Sequence, residues 1–396
     1  MCGSARQAGP EGGNAVLIPE EFLRNQVFDT RALAFNRQLT PNYTRDPFAH
    51  VEKPLGAEVF PDGKVLVRFF GPEAASVRAG HEDTWIDLHK DEDGMWTGLL
   101  PYDEPGFKQL AFTVDGVKVL NPLAPIGWGS GSAINYIEIP DPDQDFLLLR
   151  DVEHGTVSME YFPSSVTGET ECCYVYTPPH YRDDLTTRYP VLYLQHGGGE
   201  NEGCWVHLGK VNFLMDNLLA EGKCVPFIIV MNNLMMQVKK DGKWEEDVNQ
   251  FGDMLIRDCI PFIEKHYRTR PGKRNRAIAG LSLGSLYSGQ IIMEHPDQFG
   301  SAGLFTGYTW PVMPGYPTKE QPWVDALRDA ETFNREVHPF FGAIGDREVS
   351  LPLFEKEREF CKEQGVNYIQ KIYPGVHEWR VWRAASRDYF CMIFRD

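Results

Sequence analysis

Ser282, Asp346 and His377 place a hydroxyl, a carboxylate and an imidazole along the chain in the order nucleophile, acid, base. Such a set performs acyl transfer: the imidazole takes the hydroxyl proton, and the carboxylate fixes the imidazole's tautomer and orientation. Ser282 lies in Gly280-Leu281-Ser282-Leu283-Gly284, a G-x-S-x-G pentapeptide. On a strand-to-helix turn this is a nucleophile elbow. Its glycines leave room for a strained turn that lifts Oγ clear of the sheet, and the helix N-terminus faces the developing oxyanion. Glycine and serine are common, so the flanks decide the reading. Arg276-Ala277-Ile278-Ala279 predicts a short strand, and Leu283 to Met293 a helix stopped at His295-Pro296.

The other two groups also sit at strand ends. The apolar run Pro339 to Ile344 leads into Gly345-Asp346, which predicts a buried parallel strand delivering a carboxylate at its C-terminal edge. A helical stretch from Leu353 to Gln364 and a strand from Tyr368 to Tyr373 follow. His377 then falls in the loop Pro374-Gly375-Val376-His377-Glu378-Trp379. Taken singly, Asp346 reads as a cap or turn residue and His377 as a surface histidine. Their order and their strand-end placement together favour catalysis, with Glu348 as the fallback acid and Glu378 behind it. An oxyanion hole needs two backbone N–H groups. Leu283 supplies one. Gly198, with Gly199 next in line, supplies the other, in the turn His196-Gly197-Gly198-Gly199 that follows the apolar strand Pro190 to Leu194. His196 reads as a brace for that turn.

With these residues in place, the stretch from Val157 to Phe394 resembles the esterase D-type hydrolases, and among them carbohydrate esterase family 1, which includes feruloyl and acetylxylan esterases. The resemblance rests on Tyr176-Thr177-Pro178-Pro179, the strand into His196-Gly197-Gly198-Gly199 with Trp205 after it, and Asp216-Asn217-Leu218-Leu219. Ala279 to Gly284, Gly345-Asp346 and Gly375 to Arg383 complete it, the His-x-Trp-x-x-Trp-Arg run being the most specific piece. Siderophore esterases of the enterochelin type share most of this pattern. Ser285 stands where many relatives carry a second glycine. The resemblance implies a doubly wound α/β-hydrolase, a Ser282–His377–Asp346 triad, and no metal or organic cofactor. Trp205, Tyr308, Trp310 and Trp379 are expected to touch substrate, with the Asn232 to Met236 loop as the opposite wall.

The N-terminal third alternates at period two and is cut by turn signals. Lys64 to Phe70, Ser76 to Ala79, Thr84 to Leu88 and Gly94 to Gly98 predict short strands, and Asp115-Gly116 sits between Ala111 to Val114 and Val117 to Val119. Asp-Gly between alternating apolar residues predicts a tight hairpin, and many short strands predict a β-sandwich. This part resembles the early-set immunoglobulin-like modules found before such esterases and in glycogen-active enzymes. Trp85, Trp96 and Trp128 are read as core or interface residues in preference to a glucan-binding face. The division expected is a 1–50 arm, a 51–140 sandwich, a 141–156 linker and a 157–396 hydrolase.

Composition narrows the classes. The chain has 396 residues and a formal net charge of −17, which disfavours nucleic acid and anionic membrane surfaces and weighs against a strongly anionic substrate. No apolar segment follows Met1-Cys2-Gly3-Ser4, so the expected location is cytoplasmic. The eight cysteines lack zinc-type spacing and are expected to be reduced. The reading is a serine carboxylic ester hydrolase for feruloyl or acetyl esters of plant-polysaccharide fragments, a small-molecule or oligosaccharide substrate, compatible with a homo-oligomer. Siderophore ester hydrolysis is the alternative within enzymes. A glucan-binding or scaffolding protein with a silent hydrolase domain is the alternative of another class.

Overall fold

The computed structural model describes residues 56–307 and 326–395, apart from 61, 82–83, 103, 130, 241–242 and 248–249. The large sheet has eight strands: β1 (Thr156–Pro163), β2 (Thr170–Thr177), β3 (Val191–Gln195), β4 (Ile228–Asn232), β5 (Arg276–Leu281), β6 (Ser301–Phe305), β7 (Phe340–Gly345) and β8 (Tyr368–Tyr373). They lie in the order β1-β2-β4-β3-β5-β6-β7-β8. The β1–β2 and β2–β4 pairs are antiparallel, and every later pair is parallel. Residues of β3 to β7 are buried on both faces, which is why these segments read as continuous apolar runs.

Side chains alternate across those strands and feed two cores. Val191, Tyr193, Ile278 and Leu304 pack on one face against helix α1 (Leu283–Glu294). Leu192, Leu194, Ala279 and Phe341 pack on the other against helix α3 (Trp379–Phe390). Helix α2 (Leu351–Gln364) lies between β7 and β8 in sequence and ends at Gly365 in the left-handed region. This is the α/β-hydrolase architecture expected.

The preceding region is all β. Four strands, Ala57–Val59, Val65–Phe70, Met95–Leu100 and His89–Lys90, make one antiparallel sheet. Thr84–Asp87, Val77–His81, Gly106–Val114, Ser132–Ile139, Ile126–Gly129 and Val117–Val119 make a second. Val65, Val67, Ala79, Phe112 and Ile137 form their shared core. Asp115 and Gly116 both have positive φ, and Val114 pairs with Val117 across them, as the Asp-Gly turn signal required. Trp96 is buried with its indole N–H on the Gly71 carbonyl, whereas Trp128 is exposed.

The segment read as a linker is ordered: Pro142–Leu147 is a short 3₁₀ helix capped by Asp141. Asp141 also binds the Arg380 guanidinium at 2.7 Å. Further along the same seam Glu138 is buried in a double hydrogen bond with Arg383 of α3, with Lys210 at 3.3 Å. Burial alone would raise the Glu138 pKa, but the Arg383 and Lys210 charges overcome it and hold it at about 2. Among the described residues no helix is long and apolar enough to cross a membrane, and the seven described cysteines are free.

Candidate active site

Strand β5 ends at Leu281 and α1 begins at Leu283, so Ser282 is the single residue of the turn between them. Its φ of 51° and ψ of −119° are strained for a residue with a side chain. Two glycines make the turn sterically feasible. A Cβ on Gly280 would lie 2.5 Å from the Gly284 backbone, and one on Gly284 would lie 2.2 Å from the His196 carbonyl oxygen. Ser285 is fully buried in the first turn of α1 and packs against Gly307.

Ser282 Oγ lies 2.8 Å from His377 Nε2, and His377 Nδ1 lies 3.0 Å from Glu348 Oε2. The consistent assignment has the Ser282 hydroxyl donating to Nε2 and Nδ1–H donating to the carboxylate. The expectation that Asp346 is the acid is corrected here. Asp346 Oδ1 accepts from the Gly375 N–H at 2.9 Å, and its side chain is 50% exposed. The Glu348 side chain is 2% exposed and also accepts from the Gly345 N–H at 3.2 Å. The cause is the turn that follows β7: Glu348 N–H closes back on the Gly345 carbonyl, which folds its longer side chain under the His377 ring. Asp346, at the start of that turn, is left to tie it to the loop before His377. The fallback Glu378 points elsewhere, to Lys108 Nζ at 3.2 Å and to the Val376 N–H.

The glycine-rich turn after β3 lies against Ser282. Gly197 and Gly198 line the same cleft as the serine, and a Cβ on Gly197 would lie 3.2 Å from Ser282 Cβ. Leu283 is the first helical residue, so no carbonyl of its own helix takes its N–H. Gly199 does not line the cleft, and its carbonyl accepts from the Gly131 N–H. His196 braces the turn as expected: Nδ1–H donates to the Gly197 carbonyl and Nε2 accepts from the Leu234 N–H. Burial pushes its pKa down to about 4, so it is neutral at ordinary pH.

The aromatic expectations fare unequally. Trp205 is 1% exposed, its indole N–H on the Gln195 carbonyl and its ring edge-on to Trp379, so it supports the cleft from behind and cannot meet a substrate. Trp379 and Trp382 do line the cleft, and Trp382 stands edge-on to the His377 ring. Tyr308 and Trp310 lie outside the described residues. Met236 is buried and the Asn232 to Met236 loop contributes no lining, so that wall is withdrawn. Asp216, part of the motif resemblance, is structural: Tyr176 hydroxyl, His154 Nδ1 and the Gly155 N–H converge on it.

Two features were not read from the sequence. The cleft, about 560 Å³, is walled on its far side by the all-β region through Tyr102, Phe107, Lys108 and Gln109. No local pattern marks those residues, because they face the serine only after both regions are packed. The other is Glu200, whose carboxyl lines the cleft and accepts from the Gly197 N–H at 2.9 Å. Its spacing of three from Gly197 in a tight turn was a usable signal.

The chain is similar to known proteins in sequence and in fold. The family model described as "Putative esterase" matches residues 164–386. An endo-1,4-beta-xylanase/feruloyl esterase of Xylanibacter ruminicola is 36% identical over 316 residues, which is 78% of this chain and 41% of that protein. Endo-1,4-beta-xylanase Y of Acetivibrio thermocellus is 24% identical over 277 residues, 63% of this chain and 23% of that protein. The chain therefore spans less than half the length of either relative. Among solved structures, a CE1 ferulic acid esterase from Anaeromyces mucronatus in complex with ferulic acid superposes with a TM-score of 0.55 at 24% identity, over 64% of this chain and 96% of that one. The enterobactin esterase of Shigella flexneri superposes with a TM-score of 0.61 at 14% identity, over 89% of this chain and 98% of that one. At such identities these two show a shared fold. The family match, which spans more than half of the sequence, places the chain in that esterase family.

Proposed function

We propose that the chain is a serine esterase working through Ser282, His377 and Glu348, and that its substrates are feruloyl or acetyl esters of plant-polysaccharide fragments. The hydrogen-bonded line from Ser282 Oγ through His377 to the buried Glu348, opening into the cleft, carries the reading. Ser282 Oγ attacks the ester carbonyl carbon as His377 Nε2 takes its proton. The tetrahedral oxyanion is met by the N–H groups of Gly198 and Leu283. Collapse expels the alcohol with the proton from His377 and leaves the acyl group on Ser282. His377 then deprotonates a water that attacks the acyl-enzyme, and Ser282 departs reprotonated with release of the acid. Glu348 stays ionised throughout and stabilises the imidazolium.

The substrate class is supported by the names of the relatives and by the character of the cleft. Phe107, Trp379 and Trp382 offer aromatic surface for a planar acyl group, while Lys108 and Gln109 offer hydrogen bonds to an alcohol. The early-set immunoglobulin-like character of the β region belongs to the same proposal. The test is a panel of methyl ferulate, a feruloylated arabinoxylan fragment, acetylated xylo-oligosaccharide and enterobactin. Fastest turnover of a feruloyl or acetyl ester, lost in Ser282→Ala, is the expected result. Preference for enterobactin would move the chain to the siderophore esterases, whose Shigella flexneri member covers 89% of it in fold.

A further inference from the structure

Glu348 and His377 sit in two loops that are laced to each other and gripped from outside. Within the pair, the Asp346 N–H donates to the Tyr373 carbonyl, the Gly375 N–H to Asp346 Oδ1 and the Arg347 N–H to the Gly375 carbonyl. The residue beside each catalytic group then reaches across to the all-β region. Arg347, next to Glu348, donates twice to the Glu104 carboxylate, at 2.7 and 3.0 Å. Glu378, next to His377, accepts from Lys108 Nζ at 3.2 Å through one oxygen and from the Val376 N–H at 3.2 Å through the other. Glu104 and Lys108 lie on either side of the start of the strand Gly106–Val114. We propose that Glu104 and Lys108 are positioning residues: through Arg347 and Glu378, the all-β region holds the Glu348 and His377 loops in the arrangement that fixes the imidazole. The proposal rests on the esterase reading of the same site.

Apolar burial does little to fix the base. The His377 side chain is 47% exposed and Val376 is 40% exposed, so the loop depends on its polar ties. The ties have opposite polarity, a carboxylate taking a guanidinium and an ammonium taking a carboxylate. The reverse pairing would set Glu104 against Glu378 and Lys108 against Arg347, so the pattern admits one seating of the loops. The two ties differ in strength. Lys108 and Glu378 are largely buried, whereas Glu104 and Arg347 are about half exposed and count as a surface pair with a favourable bidentate fit. Along the same seam Asp141 and Glu138 hold Arg380 and Arg383, so the helix that begins just after His377 is fixed to the same body. Lys108 also lines the cleft. A contact with the substrate alcohol would act on particular esters, whereas positioning of the imidazole acts on every ester alike.

Hydrolysis of p-nitrophenyl acetate and methyl ferulate, which differ in both acyl group and alcohol, tests this in the full chain, with Ser282→Ala defining the serine-dependent rate. Lys108→Met is expected to lower kcat about 10-fold and Glu104→Gln about 3-fold, by the same factor on both esters and with KM nearly unchanged. The combined variant should approach a loss of about 100-fold, the scale of a small misplacement of catalytic groups. Lys108→Arg, which keeps the charge, should stay within about threefold of wild type. In a Glu378→Gln background Lys108→Met should cost little more, because the tie is already cut. All rates are read below each variant's thermal unfolding midpoint. In parallel, imidazole ¹⁵N shifts of His377, assigned against His377→Asn, are read at about pH 9, where an ordinary imidazole is neutral. They should report the Nδ1–H tautomer in wild type and in Ser282→Ala, and a mixture of tautomers in Glu104→Gln/Lys108→Met. Wild-type kcat in the combined variant, a loss confined to one ester or to KM, full additivity over Glu378→Gln, or an unchanged His377 tautomer would each overturn the proposal. Activity that persists in Ser282→Ala would overturn the esterase reading instead, and the tautomer measurement is independent of it.

Discussion

The turn carrying Ser282 and the turn carrying Glu348 leave the C-terminal edge of the same sheet, two strands apart, but they are specified differently. At Ser282 the backbone decides. A positive φ, a Cβ excluded at Gly280 and another excluded at Gly284 leave one way to pass from strand to helix, and that path aims Oγ into the cleft. At residues 345–348 the backbone permits several outcomes, and side-chain reach and burial select one. Asp346 and Glu348 are both carboxylates two residues apart, yet one is half exposed and laced to Gly375 while the other is sealed beneath His377. A backbone-determined site writes its constraint into residue types. A site determined by side-chain packing writes it into contacts that exist only once the chain has folded.

Removing the hydroxyl from the backbone-determined turn should have the largest effect. Ser282→Ala is expected to lower ester turnover by about 10⁶-fold, the scale of nucleophile loss in serine triads, with the thermal unfolding midpoint little changed. Steady-state kinetics beside a melting curve checks both halves. Retention of a tenth of the activity would break the elbow reading outright.

The two carboxylates give the sharper comparison. Glu348→Gln should cost about 10⁴-fold in kcat, because an amide no longer fixes the His377 tautomer that accepts the serine proton. Asp346→Asn removes only a hydrogen bond that ties two loops, so about tenfold or less is expected. Measured side by side under identical conditions, a reversal of that order would return the acid role to Asp346.

Smallest in turnover, though not in stability, is the change beneath both turns. Glu138→Gln leaves Arg383 of α3 facing a neutral partner in a buried setting, which should destabilise the fold by about 3–5 kcal/mol while kcat of the folded enzyme stays near wild type. The sign with pH follows from the depressed Glu138 pKa. Its contribution is present above the ordinary carboxylate range near 4.5 and is lost as pH falls towards about 2. Denaturant unfolding between pH 6 and pH 3 should therefore show wild type losing its advantage over Glu138→Gln on the acid side. A gap that does not narrow would mean that the buried pair is not what the variant removes.

By itself the sequence determined whatever short-range sterics and periodicity govern. The G-x-S-x-G turn between an apolar strand and an apolar helix, the strand-end loop of His377, the glycine turn after β3 and the Asp115-Gly116 hairpin all follow from residue types within a few positions of one another. The alternation of the first third likewise announced antiparallel sheets, and the unbroken apolar runs a parallel one. Tertiary structure alone decided which carboxylate serves His377, since Asp346 and Glu348 differ in burial rather than in local pattern. It also decided that Trp205 is a support, and that Phe107 and Lys108 of the all-β region face a serine some 170 residues later in the chain. Distances and desolvation between distant segments are properties of the packed molecule, and local sequence carries no record of them.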